Sequence, residues 1–263
     1  MRLLPNFLII GSARSGTTSL YNYLVKHPDI TPALQKEIHF FDYNYQKGLS
    51  WYRGQFPSQP YKYYVETMHR RNLITGEASP YYLFHPYTPQ RVAQLLPEVK
   101  LIALLRNPIE RAFSHYWWEV SWGNEHLPFE DAIEQEEKRI QVGIQNLDKS
   151  MSFNHLHFSY IARGKYAEQL ERWFKYFPRE QCLIIKSEDM YSNPADIFKQ
   201  TLNFLHIPMI DRYPHASSFK PYNGRKFNAY KKMATKMRER LIEIFKPHNE
   251  RLYNLLGRDF GWK

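Results

Sequence analysis

One cysteine, Cys182, stands in a chain of 263 residues, so no disulfide can close within it. That excludes a disulfide-stapled scaffold and fits a reducing compartment. Long apolar runs are also missing. None approaches the roughly 18 residues of a membrane-spanning helix, and the N-terminal PNFLII is too short for the hydrophobic region of a signal peptide. The expected setting is therefore cytoplasmic, with no membrane. No Gly/Ser linker, internal repeat or low-complexity tract divides the sequence, so a single domain over residues 1–263 is expected. The 11 histidines and the lone cysteine show no His-Glu-x-x-His or Cys-x-x-Cys spacing, and no metal is expected. Acidic residues are in deficit, 26 against 36 Lys and Arg, which leaves a net charge of +10 and suggests an anionic partner. No nucleic-acid motif accompanies that charge, so no nucleic acid is expected.

What is present is a large apolar and aromatic fraction, 43% and 16%, sufficient for a sizeable core. Residues 6–10 (NFLII) read as a buried strand, and residues 17–27 as a helix that stops before Pro28. Residues 72–79 and 99–107 offer further strands. Residues 107–120 form a helix with Asn107 as its N-cap and Pro108 at its first position. Helix is expected again after Gly164, over 193–206 and over 229–256, with a strand within 180–190. Alternation of this kind implies an α/β fold, a P-loop-like three-layer α/β/α arrangement around a mostly parallel sheet. Ligands in such folds sit at the carboxyl ends of the strands. The stretch 43–71 is aromatic and irregular and reads as an insertion lining the acceptor side of a cleft, its aromatics either stacking on a ligand or packing locally.

The octapeptide GSARSGTT, residues 11–18, lies between the first strand and the first helix. Gly11 and Gly16 let backbone approach a phosphate, the helix N-terminus supplies converging N–H groups, and Ser15, Thr17 and Thr18 bring hydroxyls. The lysine of a nucleotide hydrolase is absent, its place taken by Thr17, and the only cation in the loop is Arg14. A metal-binding aspartate at a strand end is absent too, since the strand LIALL runs into Arg106. Triphosphate chemistry needs Mg²⁺ against dense charge. A sulfuryl group carries a single negative charge, so one side-chain cation suffices for its leaving phosphate. The loop is thus read as built for a phosphosulfate.

In the helix after Arg106, Ile109, Ala112, Phe113, Tyr116, Trp117 and Val120 make one apolar stripe. Glu110, Arg111, Ser114 and Trp118 fall off it. Arg106 and Ser114 either form a second phosphate site or, respectively, pair with a carboxylate and face water.

Five segments together, FLIIGSARSGTTSL, KEIHFFD, LLRNPIERAFSHY, RGKYAEQLERWFKYFP and GRDFGW, resemble the sulfotransferases that use 3′-phosphoadenosine 5′-phosphosulfate (PAPS). The likeness covers residue 6 to the C-terminus and is greatest to the heparan sulfate and carbohydrate branch. It implies that residues 14–18 grip the 5′-phosphosulfate and that Arg106 and Ser114 bind the 3′-phosphate. It also implies that Asn223, Gly224 and Arg225 close over the nucleotide, and that Glu37 is the catalytic base with Lys36 and His39 beside it. Three departures stand out. The glycan enzymes carry lysine at the position of Arg14, where arginine is more like the tyrosylprotein branch. They carry lysine at the position of Ala78. They also have a cysteine pair and a membrane anchor that this sequence lacks, which makes it resemble a soluble bacterial-type relative.

The reaction implied is in-line sulfuryl transfer to an acceptor hydroxyl, without a metal. Glu37 takes the hydroxyl proton, and Arg14 with the loop amides meets the charge on the leaving phosphate. Burial among His39, Phe40 and Phe41 is expected to raise the Glu37 pKa. An extended strand is expected to point Glu37 and His39 the same way. A saccharide hydroxyl is the first acceptor reading. A small natural-product alcohol, a carrier-bound hydroxyl and an amine follow. A P-loop phosphotransferase and a non-catalytic polyanion-binding module stand as more remote readings. The Lys/Arg-rich tract 220–240 either steers an acidic ligand or is a solvated helix face.

Overall fold

Apolar residues at consecutive positions, 7–10 and 101–105, bury two central strands of the sheet on both faces. The structure is a computed structural model that describes residues 1–145, 147–148, 150–210, 219 and 232–262. Its strands are β1 (Phe7–Gly11), β2 (Ile30–Pro32), β3 (Ile74–Ala78), β4 (Lys100–Leu105) and β5 (Cys182–Lys186). They pair in the order β2-β3-β1-β4-β5, every pair parallel. In register, Phe7 lies beside Gly76 on one side and Lys100 on the other. The short edge strand β2, which closes on Pro32, is an element the sequence pattern does not reveal.

Alternation along the strands sends side chains into two separate cores. Leu8, Ile10, Leu101, Ala103 and Leu105 enter one cluster. Phe7, Ile9, Ile102 and Leu104 enter the other. The first is covered by α8 (Tyr166–Phe174) through Tyr166, Leu170 and Trp173. The second is covered by α1 (Thr17–Leu24) through Leu20 and Leu24, and by α10 (Pro194–Phe204) through Phe198 and Leu202. This is the expected three-layer α/β/α arrangement.

A third core joins α5 (Pro108–Ser121), α6 (Phe129–Ile144) and α11 (Thr235–Leu256). It corrects one expectation. Arg111, placed by periodicity on the outward side of α5, is fully buried. Its guanidinium donates to the Tyr160 carbonyl, and burial pulls its pKa down to about 10. α5 is packed on more than one side, so a single apolar stripe does not describe it.

The stretch 43–71 is not irregular. It holds α2 (Gly48–Gly54) and α3 (Gln59–His69), the latter capped by the Ser58 hydroxyl accepting from the Tyr61 amide at 3.3 Å. Tyr52 and Phe56 from this stretch belong to the first core.

Candidate active site

The loop after β1 is braced from within. The Ser12 amide donates to the Leu104 carbonyl at 2.7 Å. The Ser12 hydroxyl meets Ser15 Oγ at 2.6 Å and donates to the Leu104 carbonyl at 3.0 Å. Ser187 Oγ donates to the Ser15 carbonyl at 2.8 Å. Ser15 is therefore wholly buried, and its hydroxyl serves the loop. Gly16 caps α1 with φ 91°, a left-handed conformation that glycine takes without penalty. A Cβ there would meet Met190 Cε at 2.4 Å. Arg14 is also left-handed, at φ 69°.

The two expected anion sites are contiguous. Arg14 Nε donates to Ser114 Oγ at 3.2 Å, and the Arg14 guanidinium stacks on Trp118, 4.5 Å from the ring centroid. Arg106 Nη1 donates to the Arg14 carbonyl at 3.2 Å. The start of α5 is fixed by Asn107 Oδ1, which accepts from the amides of Ile109 at 3.0 Å and Glu110 at 3.4 Å. That cap sets Ser114, two turns on, opposite Arg14.

A cavity of about 570 Å³ is lined by Arg14, Gly16, Thr17, Thr18, Arg106 and Ser114, and by Glu37 and His39 as well. A second hollow of about 650 Å³ shares Arg106, Glu110 and Tyr191 with it. Lys36 does not line the cavity but pairs with Glu37. From the stretch 43–71, Tyr43 lines it. Asn223, Gly224 and Arg225 lie outside the described residues.

Glu37 and His39 do come together, though not on a strand. Both have positive φ, 62° and 53°, and the segment is a looped turn. The Glu37 amide donates to the Ala78 carbonyl at 3.1 Å, and the His39 amide to Ser79 Oγ at 3.2 Å. His39 Nε2 lies 3.6 Å from Glu37 Oε2, and its Nδ1 lies 2.6 Å from Asp42 Oδ2. The Asp42 side chain is fully buried.

This geometry reverses the expected direction of the Glu37 pKa. Burial pushes the carboxyl up, but the His39 hydrogen bond and the Lys36 ammonium outweigh it and hold it down at about 2. The Glu37 side chain is 45% exposed, which limits what burial does. Burial likewise pushes His39 down, and the Asp42 and Glu37 carboxylates overcome it, raising the imidazole to about 9. Near neutral pH the site therefore holds a Glu37 carboxylate against a protonated His39.

The sulfotransferase domain model matches residues 4–251. The membrane-associated sulfotransferase kil1 of Dictyostelium discoideum is 32% identical over 99% of this chain and 67% of its own length. The mouse heparan sulfate glucosamine 3-O-sulfotransferase 3B1 is 30% identical over 98% of this chain and 65% of its own. The crystal structure of a sulfotransferase from Alicyclobacillus acidocaldarius superposes with a TM-score of 0.72 at 32% identity, covering 98% of both chains. The chain belongs to the sulfotransferase family. It spans about two thirds of the length of the two curated relatives. Among the described residues no helix is long and apolar enough to cross a membrane.

Several groups in or beside this cavity are not evident from the sequence. Asp42 lies within the quoted KEIHFFD, and its role shows only once the turn brings it to His39. Glu119 also lines the cavity, accepting from His115 Nε2 at 3.2 Å and from His157 Nδ1 at 2.9 Å. Burial raises the Glu119 carboxyl, but hydrogen bonds from both histidines and Asn124 hold it well below the usual carboxylate range. Arg163, fully buried at the cavity wall, stacks on Tyr81 at 4.7 Å and donates to the Leu156 carbonyl at 2.6 Å. The His115–Glu119 and His39–Asp42 pairs are local in sequence, but His157 reaches Glu119, and Arg163 reaches Tyr81, from distant segments. Among the described residues no cluster of three or more His, Cys, Asp or Glu is arranged to hold a metal.

Proposed function

We propose that this chain transfers the sulfuryl group of PAPS to a saccharide hydroxyl by in-line displacement, with Glu37 as general base. The observation that carries the reading is one cavity lined at once by two arginines, a helix N-terminus and the Glu37–His39 pair. The residues fit such a donor. Thr17, Thr18 and the first amides of α1 suit the 5′-phosphate, and Arg106 with Ser114 suits the 3′-phosphate. PAPS supplies the sulfuryl group. Asn223, Gly224 and Arg225 are the remaining cofactor residues of this proposal, with Ser15 shaping the loop.

As the acceptor oxygen bonds to sulfur, the bridging bond to the leaving phosphate breaks and the hydroxyl proton passes to Glu37. A carboxyl held at about 2 is ionised at every working pH but is a weak base. It therefore receives the proton late, when bonding to sulfur has made the hydroxyl strongly acidic. His39, with Lys36 on the other side, fixes the carboxylate for that step. Arg14 and the loop amides face the charge that grows on the phosphate, a kind of preorganised donor that contributes ~3 kcal/mol each.

Incubation with radiolabelled PAPS and a panel of unsulfated saccharides, including heparan-type oligosaccharides, tests the acceptor class. Label is expected in a saccharide hydroxyl. Label found only in amines or simple alcohols would contradict the saccharide assignment.

A further inference from the structure

The turn that carries Glu37 and His39 has no regular backbone pairing of its own, yet it holds two residues in left-handed conformations. The Glu37 amide reaches the Ala78 carbonyl, but the amides of residues 39–41 are caught by side-chain oxygens. Ser79 Oγ accepts from the His39 amide at 3.2 Å. The Tyr82 hydroxyl accepts from the Phe40 amide at 2.8 Å and the Phe41 amide at 3.4 Å. A hydroxyl accepts well on one side only if its own proton is directed elsewhere.

Both protons go to one place. Glu77, on β3, is fully buried and does not line the cavity. Its Oε2 accepts from Ser79 Oγ at 2.8 Å, and its Oε1 accepts from the Tyr82 hydroxyl at 3.1 Å. A third hydroxyl, that of Tyr52, donates to Oε1 at 2.6 Å. The Tyr52 ring stacks on Phe40 with centroids 4.3 Å apart and planes 9° apart. Burial raises the Glu77 carboxyl to about 7 against the three hydroxyls that hold it down, so above that pH it is the ionised acceptor of all three.

We propose that Glu77 is a positioning residue for the catalytic turn: it orients the Ser79 and Tyr82 hydroxyls so that their oxygens clamp the amides of residues 39–41 and hold His39 against Asp42 and Glu37. The proposal rests on the reading of Glu37 and His39 as the acceptor-activating pair. Its logic is one of proton direction. An amide in place of the carboxylate presents a donor to at least one of the hydroxyls, turns that hydroxyl's proton toward the turn, and sets it against the backbone N–H.

The test uses the His39 imidazole as a reporter, read by NMR titration with the signal assigned through His39→Gln. The variants are Glu77→Gln, Tyr82→Phe and the gentler Ser79→Ala. Tyr82→Phe keeps the Glu77 carboxyl itself, so an outcome shared with Glu77→Gln points to the clamp rather than to loss of that group. Each variant is expected to bind adenosine 3′,5′-bisphosphate within about twofold of wild type by calorimetry. Each is also expected to lower the His39 midpoint from about 9 toward 6.5. With a saccharide acceptor, turnover is expected to fall at least ~10-fold while the KM for PAPS holds, and Glu77→Gln with Tyr82→Phe should cost little more than either alone. An unchanged His39 midpoint in both Glu77→Gln and Tyr82→Phe overturns the proposal. So does an affinity for the bisphosphate that falls in step with turnover. The titration needs no acceptor, so a failure of the Glu37 base assignment, seen as full activity in Glu37→Gln, is distinguishable from a failure of the clamp.

Discussion

Arg14 Nε donates to the hydroxyl of Ser114 at 3.2 Å, joining the glycine loop after β1 to α5 across 100 residues of sequence. Since Ser114 accepts there, its own proton is left to donate to a phosphate. The two residues are expected to act as one unit on the nucleotide. Arg14→Ala and Ser114→Ala should each weaken binding of adenosine 3′,5′-bisphosphate. The double variant should lose less than the sum, with a coupling of ~0.5–3 kcal/mol. Calorimetry on the four proteins measures it, and strict additivity would show that the bond has no part in binding. Arg14→Lys should not restore the wild-type value, because an ammonium lacks the planar fork that both reaches Ser114 and stacks on Trp118.

Arg106 stands at the carboxyl end of β4, and its Nη1 donates to the Arg14 carbonyl at 3.2 Å. Arg106→Ala is expected to weaken 3′-phosphorylated nucleotides by ~10–100-fold and adenosine 5′-phosphosulfate by far less, since charge-assisted bonds contribute ~1.5–3 kcal/mol. Competition binding with the two nucleotides separates the outcomes. Equal losses would remove Arg106 from the 3′-phosphate.

Glu37→Gln is close in shape and removes the carboxylate proposed as the base. Turnover should drop ~10²–10⁴-fold with the bisphosphate affinity unchanged. Turnover within a few-fold of wild type would place the base elsewhere.

The Glu37–His39 pair also leaves a signature in stability against pH. Glu37 is lowered from 4.5 to about 2, so its contribution is complete above 4.5 and is lost as pH falls toward 2. His39 is raised from 6.5 to about 9, so its contribution is complete below 6.5 and is lost as pH rises through 9. Urea unfolding of wild type and His39→Gln should show a difference that is constant between pH 4.5 and 6.5 and shrinks as pH rises toward 9. A difference that grows with pH would contradict the pairing of His39 with the two carboxylates.

Local signals carried much of this architecture. The glycine turn between an apolar strand and a helix, and the Asn107–Pro108 start of α5, are written in adjacent residues, and both lie where expected. β1, β4 and β5 are legible because each is an apolar run, and β3, with the sequence ITGEA, is legible only as a short stretch opening on Leu73 and Ile74. β2 is not, being three residues ending in proline at a sheet edge. α2 and α3 escaped because tyrosines, glycines and prolines obscure a helical period. The turn at Glu37 and His39 is not legible locally because its clamps, Ser79 and Tyr82, lie some 40 residues away. The direction of the Glu37 pKa was misjudged for the same reason, since it depends on where Lys36 and His39 are held. Burial of Arg111 depends on Tyr160, which no helical period within α5 encodes.

The central claim is that the loop around Arg14 takes a phosphosulfate nucleotide rather than a triphosphate, and nucleotide binding tests it without any acceptor. Isothermal titration of the same protein with adenosine 3′,5′-bisphosphate and with ATP should give an affinity at least about tenfold higher for the bisphosphate, a difference of ~1.4 kcal/mol or more. ATP binding as tightly as the bisphosphate, or more tightly, would contradict the account.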